Sequence, residues 1–439
     1  MKRNSFHTAI TVGVLASALT ACSADAAKQA VSSDTAAVQD VSSDNTSAVQ
    51  ETSSQTASQE TAAKNTASEK IVTTASTTSS GMINASDLFT DRDLTQTADY
   101  SEAKYYTLQD GEDLTITDGG VYVLTGKAAE VTVYVDVEDS EKVQIVLDGV
   151  TITNSDFPCI YVNSADKVFI TTTDTENTLT VTGSFTSDGN TNTDAVIFAK
   201  DDLVLNGTGT LNVTSSDNGI TAKDDLKITG GTYVIQAVAD AIEVNDMLAI
   251  ADGNITIVTY KDGIHAEDSD DTSVGSVYIC GGTLQIAAAD DAVHATCIIQ
   301  IDGGTLKLQG AEGLEATYIQ VNGGDLSISA SDDGINAARK SSAYTPTFEM
   351  NDGSLTVSMG SGDTDGIDSN GNIVINGGTI NITGQSSFDY DSQAVYNGGT
   401  IIVNGQQVNS IPNQMMGGGM MGGMQGGMQG GMHGGFGRR

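Results

Sequence analysis

The 439-residue chain has no Trp, 3 Pro and 4 Cys, and sets only 19 Lys and Arg against 57 Asp and Glu. Each shortage excludes something. A formal charge of −38 excludes a protein that grips nucleic acid, because that contact needs a cationic footprint. The cysteines Cys22, Cys159, Cys280 and Cys297 show no CxxC or Cys/His zinc spacing. If Cys22 is processed, an odd number remains, so no structural disulfide is expected. The scarcity of Pro and the abundance of Gly, 49 residues, together with frequent Thr, Asn, Asp and Ser, suit many short strands joined by tight polar turns. The acidic excess has two ordinary readings, a solubility coat or carboxylates arranged for a hard cation such as Ca²⁺.

The first residues read as an export signal. Lys2 and Arg3 precede an apolar stretch, Ala9 to Ala21, that is too short to span a membrane. It ends in Leu19-Thr20-Ala21-Cys22, which resembles the bacterial lipobox. Residues 1–22 are therefore expected to be a lipoprotein signal, with Cys22 lipidated and the mature chain membrane-anchored and extracellular. Residues 23–84 are mostly Ser, Thr, Ala, Gln and Glu. Such a segment buries too little apolar surface to offset its ordering entropy, so a disordered linker is expected. Its reach as a coil is roughly 40 Å. Residues 411–439 are rich in Gly and Met and are expected to be a disordered tail.

Between these segments the chain repeats itself. One phrase is an acid, then Gly or Ala, an aliphatic residue and a polar one: Asp240-Ala241-Ile242-Glu243, Asp262-Gly263-Ile264-His265, Asp291-Ala292-Val293-His294, Glu312-Gly313-Leu314-Glu315, Asp333-Gly334-Ile335-Asn336 and Asp365-Gly366-Ile367-Asp368. Earlier forms begin at Asp194 and Asn218. A second phrase, such as Gly303-Gly304-Thr305-Leu306, falls between, flanked by period-2 alternation as in Leu306-Lys307-Leu308. From position 195 through 219, 241, 263, 292, 313, 334 and 366 the small residue of the first phrase recurs at 24, 22, 22, 29, 21, 21 and 32. A repeat near 22 residues with three short strands predicts one coil of a parallel β-helix. No leucine-rich-repeat line is present, and a propeller needs a longer period. The fold class expected is all-β, a single-stranded right-handed parallel β-helix over residues 85–410. Roughly ten to twelve coils are expected, ending near Val408 and capped by residues 85–110. The long repeats carry insertions at Glu267–Ser276 and Arg339–Thr347.

Stacking places equivalent residues about 4.8 Å apart. Two unit charges at that distance repel by about 0.9 kcal/mol even in bulk water. A file of acids at 240, 262, 291, 312, 333 and 365 therefore calls for cations, with Ca²⁺ between successive carboxylates. The expected ligands are Asp240, Asp262, Asp290, Asp291, Asp332, Asp333, Asp363 and Asp365. The competing reading is a turn ladder in which each Asp bonds nearby backbone N–H groups. The loop Asp188–Asp194 is rich in oxygen ligands but lacks the closing Glu of an EF-hand, and the acidic run Glu267, Asp268, Asp270, Asp271 reads as a solvated loop. Three residues after each acid comes an outward column: Thr221, Glu243, His265, His294, Glu315, Asn336 and Asp368. As hydrogen-bonding groups on a flat polar face these suit a sugar. The adjacent pair His265 and His294 also admits a transition metal.

The repeated Asp-Gly-Ile and Gly-Gly-Thr-Leu phrases, followed by the Gly/Met/Gln tail, resemble the carbohydrate-binding β-helix proteins of clostridial cell surfaces, which are similar in fold to family-nine polysaccharide lyases. The resemblance covers residues 85–410. It implies binding of plant-wall polysaccharide, cellulose or polygalacturonate, with Ca²⁺ in the site, and marks Asp262, Asp291, Asp333 and Asp365 as ligands. Asn218 and Glu312 depart from the phrase. A pectate-type lyase would need a Lys or Arg base. Lys261 is the candidate, but no Lys–Arg cluster accompanies any acid pair. A non-catalytic adhesin is the third reading.

Overall fold

A computed structural model describes residues 82–361 and 364–413. The signal, the lipobox Cys22, nearly all of the linker and tail, and Asp363 lie outside the described residues. The rest forms coils of three strands each. One coil runs Ile264–Ala266, Ser276–Ile279 and Thr283–Ala287, and the next begins with Val293–Ala295. Successive coils pair in parallel and in register, as Ile264↔Val293, Val277↔Ile299 and Leu284↔Leu306 show. Twelve strands make one sheet; a 24-stranded sheet wraps the other two faces. These two faces are continuous because Gly120–Ala129 and Lys142–Asn154 each bend through both. The expected parallel solenoid is what forms, with insertions looping out where the repeat lengthens.

Alternation explains the core. Strand Thr305–Gly310 buries every second residue, and its inward Leu306 and Leu308 join columns of Ile, Val and Leu along the axis. The two glycine phrases act differently. Gly304 has φ +97°, a conformation that side chains disfavour. Gly263 is instead a matter of space: a Cβ there would lie 2.3 Å from the Ile286 side chain and 2.6 Å from the Ala292 carbonyl oxygen. The stack closes with the sole antiparallel pair among the described strands, Thr400–Val403 with Gln406–Val408. Asn404 (φ 51°) and Gly405 (φ 75°) turn it, as two-residue hairpins require.

The N-terminal segment differs from expectation. Residues 82–98 do not cap the first coil but run as a strap along the flank. Met82 N–H donates to Gln320 Oε1 (3.0 Å) and Ile83 N–H to Gln300 Oε1 (2.6 Å). Farther on, Gln96 bonds Thr229 O and Gly207 N–H, and Ala98 packs on Val123 and Val146. Buried Asp93 sits 3.8 Å from Lys167 and 3.7 Å from Lys227, below a capping box with Thr90. The reason is apolar surface on the outside of these strands. Ile298–Ile301 is buried on both sides, with Ile298, Tyr278 and Ala249 covered by Ile83, Leu88 and Phe89.

Candidate functional site

The outward column lies on the 12-stranded sheet as the repeat predicts. Register places Glu243, His265, His294, Glu315, Asn336 and Asp368 opposite one another in turn, then Asp389. Upstream the column continues as Tyr134, Tyr161, Phe198 and Thr221. It therefore has an aromatic stretch, a mixed stretch and an acidic stretch. The aromatic rings meet edge-on or tilted, at 5.7 and 5.8 Å between centroids. Tyr161 and Phe198 are buried, and the Tyr161 hydroxyl donates to Asp188 Oδ2 (3.0 Å). The Asp188–Asp194 loop is a tight turn, and Asp194 accepts from Asn192 Nδ2 and Thr221 Oγ1.

The turn-ladder reading holds for three of the ladder acids. One oxygen of each of these three caps the next coil: Asp240 Oδ1 accepts from Asp262 N–H (3.0 Å), Asp262 Oδ1 from Asp291 N–H (2.9 Å) and Asp333 Oδ1 from Asp365 N–H (2.9 Å). What the second oxygen meets depends on the stretch. In the mixed stretch Asp240 Oδ2 meets Lys261 Nζ at 2.6 Å, Asp262 Oδ2 meets His265 Nδ1 at 2.6 Å, and Asp291 Oδ2 meets His294 Nδ1 at 3.4 Å. Protein donors thus take both oxygens of Asp240 and Asp262. Asp290 is exposed; its carboxylate, Asp262 and Asp291 lie within 4.8 Å of one another.

The column is not an open face throughout: His294 and Glu315 are both 6 % exposed. Glu315 contacts His294 Nδ1 (2.8 Å) and Lys340 Nζ (2.7 Å). Burial alone would raise its pKa, but these two cations overcome it and hold the carboxyl at about 2. Burial likewise lowers the His294 pKa, and the Asp291 and Glu315 carboxylates outweigh it to give about 10. Glu312, which departs from the Asp phrase, is pushed up to about 8 by burial and then by Glu315 and Asp291. It bonds Asn336 Nδ2.

The acidic stretch has no such compensation. Asp333 is raised to about 6 and Asp368 to about 7, by burial first and then by neighbouring carboxylates. Asp389 Oδ1 is buried without a hydrogen-bond partner. Asp332 is exposed beside them. Among the described residues no Lys or Arg pairs with Asp333, Asp368 or Asp389.

A cavity of about 220 Å³ opens beside the mixed stretch, lined by Lys223, Asp240, Glu243, Asn245, Lys261, His265, Glu267 and Ser269. Lys223 Nζ bonds Glu243 Oε1 at 2.6 Å, and Lys261 bonds Asp240 across it. The sequence alone drew Lys223 into no site and placed Glu267 in a solvated loop. Both belong to a second outward column, two residues beyond the first: Lys200, Lys223, Asn245 and Glu267. Stepping by the strand period of two would have found it.

A parallel β-helix whose one outer column is lined with ion pairs, His and carboxylates defines a class of solenoid with a polar, ligand-sized cleft. A family model described as carbohydrate-binding domain-containing protein matches residues 110–366 and 312–427, and the chain belongs to that family. A curated relative of the same description from Acetivibrio thermocellus is 36 % identical over 129 residues, 28 % of this chain and 45 % of the relative. The match thus spans under half of that relative. A solved structure, the gadolinium derivative of a polysaccharide lyase-like protein from C. thermocellum, aligns at 29 % identity with a TM-score of 0.44, covering 51 % of this chain and 93 % of that one.

Proposed function

We infer that this is a calcium-dependent binder of acidic polysaccharide, carried outside the cell by a lipid at Cys22, and that its sugar site is the cavity between Lys223 and Lys261. The observation that carries the reading is this pair of half-exposed ammonium groups over a floor of hydrogen-bonding side chains. Two cations beside hydroxyl-bonding carboxylates and an amide suit a sugar bearing a carboxylate. A volume of about 220 Å³ is below the roughly 300–1,000 Å³ of whole small-molecule pockets and suits one unit of a longer chain. The remaining units lie along the column, where coils repeat about every 4.8 Å.

Calcium fits the acidic stretch. Asp333, Asp365, Asp368 and Asp389 are the residues to hold it: burial and then the Asp365 and Asp389 carboxylates raise the pKa of Asp333 and Asp368, and Asp389 presents a buried oxygen without a donor. The ion would supply charge neutralisation and an open coordination position for a sugar carboxylate.

The lyase reading is weaker. Burial alone would lower the Lys261 pKa, but Asp240 at 2.6 Å, with Asp262 and Glu243, outweighs it and raises it. A more firmly held ammonium binds a carboxylate well and abstracts a proton poorly.

Immobilised polygalacturonate and cellulose test this with protein in Ca²⁺ or in EDTA. The reading expects retention on polygalacturonate in Ca²⁺, loss in EDTA, and no ultraviolet-absorbing unsaturated product. Lys223→Ala with Lys261→Ala should weaken polygalacturonate binding about tenfold or more, two charge-assisted contacts at about 1.5 kcal/mol each, and leave any cellulose binding unchanged. Equal retention in EDTA would remove the calcium, and product formation would restore the lyase.

A further inference from the structure

We propose that His265, Glu267 and His294 form a site for a borderline-soft divalent cation, with Zn²⁺ chemistry, at the edge of the cavity. The two imidazole rings stack in parallel, 7° apart with centroids at 4.7 Å. They are oriented by the acids behind them. His265 Nδ1 faces Asp262 at 2.6 Å, and His294 Nδ1 faces Glu315 at 2.8 Å and Asp291 at 3.4 Å. A carboxylate on Nδ1 fixes the ring's orientation, and Nε2 becomes a ligand when an incoming metal displaces its proton. Both Nε2 atoms lie near the Glu267 carboxylate, at 3.9 Å from His265 and 3.4 Å from His294.

The His294 ring supplies a second, independent sign. The residue is 6 % exposed, and its Nε2 is buried with no hydrogen-bond partner. Such an atom is costly unless something binds it. The three ligand atoms already lie within 4.8 Å of one another. Bonds of 2.0–2.1 Å to a tetrahedral Zn²⁺ need ligand separations of about 3.4 Å. His294–Glu267 meets that, His265–Glu267 needs to close by about 0.5 Å, and the two parallel rings must tilt to bring their nitrogens together. Glu267 begins an inserted loop, and its side chain is 41 % exposed, so it is free to move that far. Two nitrogens among three donors select against Ca²⁺, which takes oxygen. Three protein ligands leave one position open. It faces the cavity, since His265 and Glu267 line it, and takes water or an oxygen of a bound sugar.

The test reads the metal alone and is independent of sugar binding. Full-length protein is stripped with EDTA, supplied with millimolar Ca²⁺ to fill oxygen sites, and titrated with Co²⁺ while the visible d–d bands are followed. Zn²⁺ is then added as competitor. The expected result is one equivalent of low-symmetry Co²⁺ displaced by Zn²⁺, with affinity lowered at least tenfold in Glu267→Gln and in His265→Gln. Glu267→Gln should leave the melting temperature of the stripped protein unchanged, which separates ligand loss from misfolding. No visible band, or equal binding by wild type and both variants, as the tail's own His and Met would give, overturns the proposal.

Discussion

Two adjoining stretches of one column solve the same problem differently. From Glu243 to Glu315 the acids other than Glu312 and the exposed Asp290 have a basic side chain at hand: Lys223, Lys261, His265, His294 or Lys340. Farther along, Asp333 and Asp368 have no such basic partner among the described residues, and their pKa values rise. Stacking enforces the crowding in both. The difference teaches that a β-helix neutralises its own charge only where a strand two residues on, or an inserted loop, delivers a base. Elsewhere it leaves the task to an ion from solution.

The largest effect that bears on this contrast is Glu315→Ala. It leaves His294 and Lys340 without their shared carboxylate, and a broken buried pair costs about 3–5 kcal/mol. Chemical denaturation should show that loss. If it is under 1 kcal/mol, the mixed stretch is not held by its ion pairs. Next is calcium. At about a hundred times its dissociation constant an ion bound only to the native state adds about 2.7 kcal/mol, so chelation near pH 7.5 should lower the melting temperature by several degrees. A curve unmoved by EDTA would break the contrast from the other side.

The pH dependence sharpens it. Asp333 and Asp368 have native pKa values raised from 3.8 to about 6 and about 7. Raised acids bind protons more tightly when folded. The stability they contribute is complete below about pH 4 and lost as pH climbs through 6 and 7. Calorimetry of chelated protein should show the melting temperature falling over that window, and the calcium-dependent increment growing over the same window. A flat chelated profile would contradict the crowding. The smallest effect has the opposite sign to the first: Asp368→Asn should raise the melting temperature of metal-free protein by a degree or two and shrink the increment from calcium. If it destabilises as Glu315→Ala does, the two stretches are not different in kind.

Much of this was legible in the residues. The Asp-Gly-Ile phrase fixed coil length and register, so the outward column from Thr221 to Asp368 follows from counting. The use of one acid oxygen for the next coil's N–H followed from ordinary Asp turn chemistry. The partner of the other oxygen did not, because Lys261 and Asp240 meet across 21 residues and Lys340 reaches Glu315 from an insertion of irregular length. The aromatic stretch was hidden for another reason: Tyr134, Tyr161 and Phe198 precede the clear repeat. The strap left one trace that went unread. Cys297-Ile298-Ile299-Gln300-Ile301 is apolar or uncharged on both faces, the pattern of a strand covered on its outer side as well, whereas Leu306-Lys307-Leu308 alternates.

That strap also sets an order of events during synthesis. Met82 leaves the ribosome 238 residues before Gln320, its hydrogen-bond partner, so the first part of the body to be made is the last able to dock. Until then Ile298 and Tyr278 stand bare on a growing stack with an open upper edge. Nascent chains should pass through a sticky interval that ends only when the eighth or ninth coil emerges, and a truncation that stops short of Gln300 should leave the strap without both of its first hydrogen bonds.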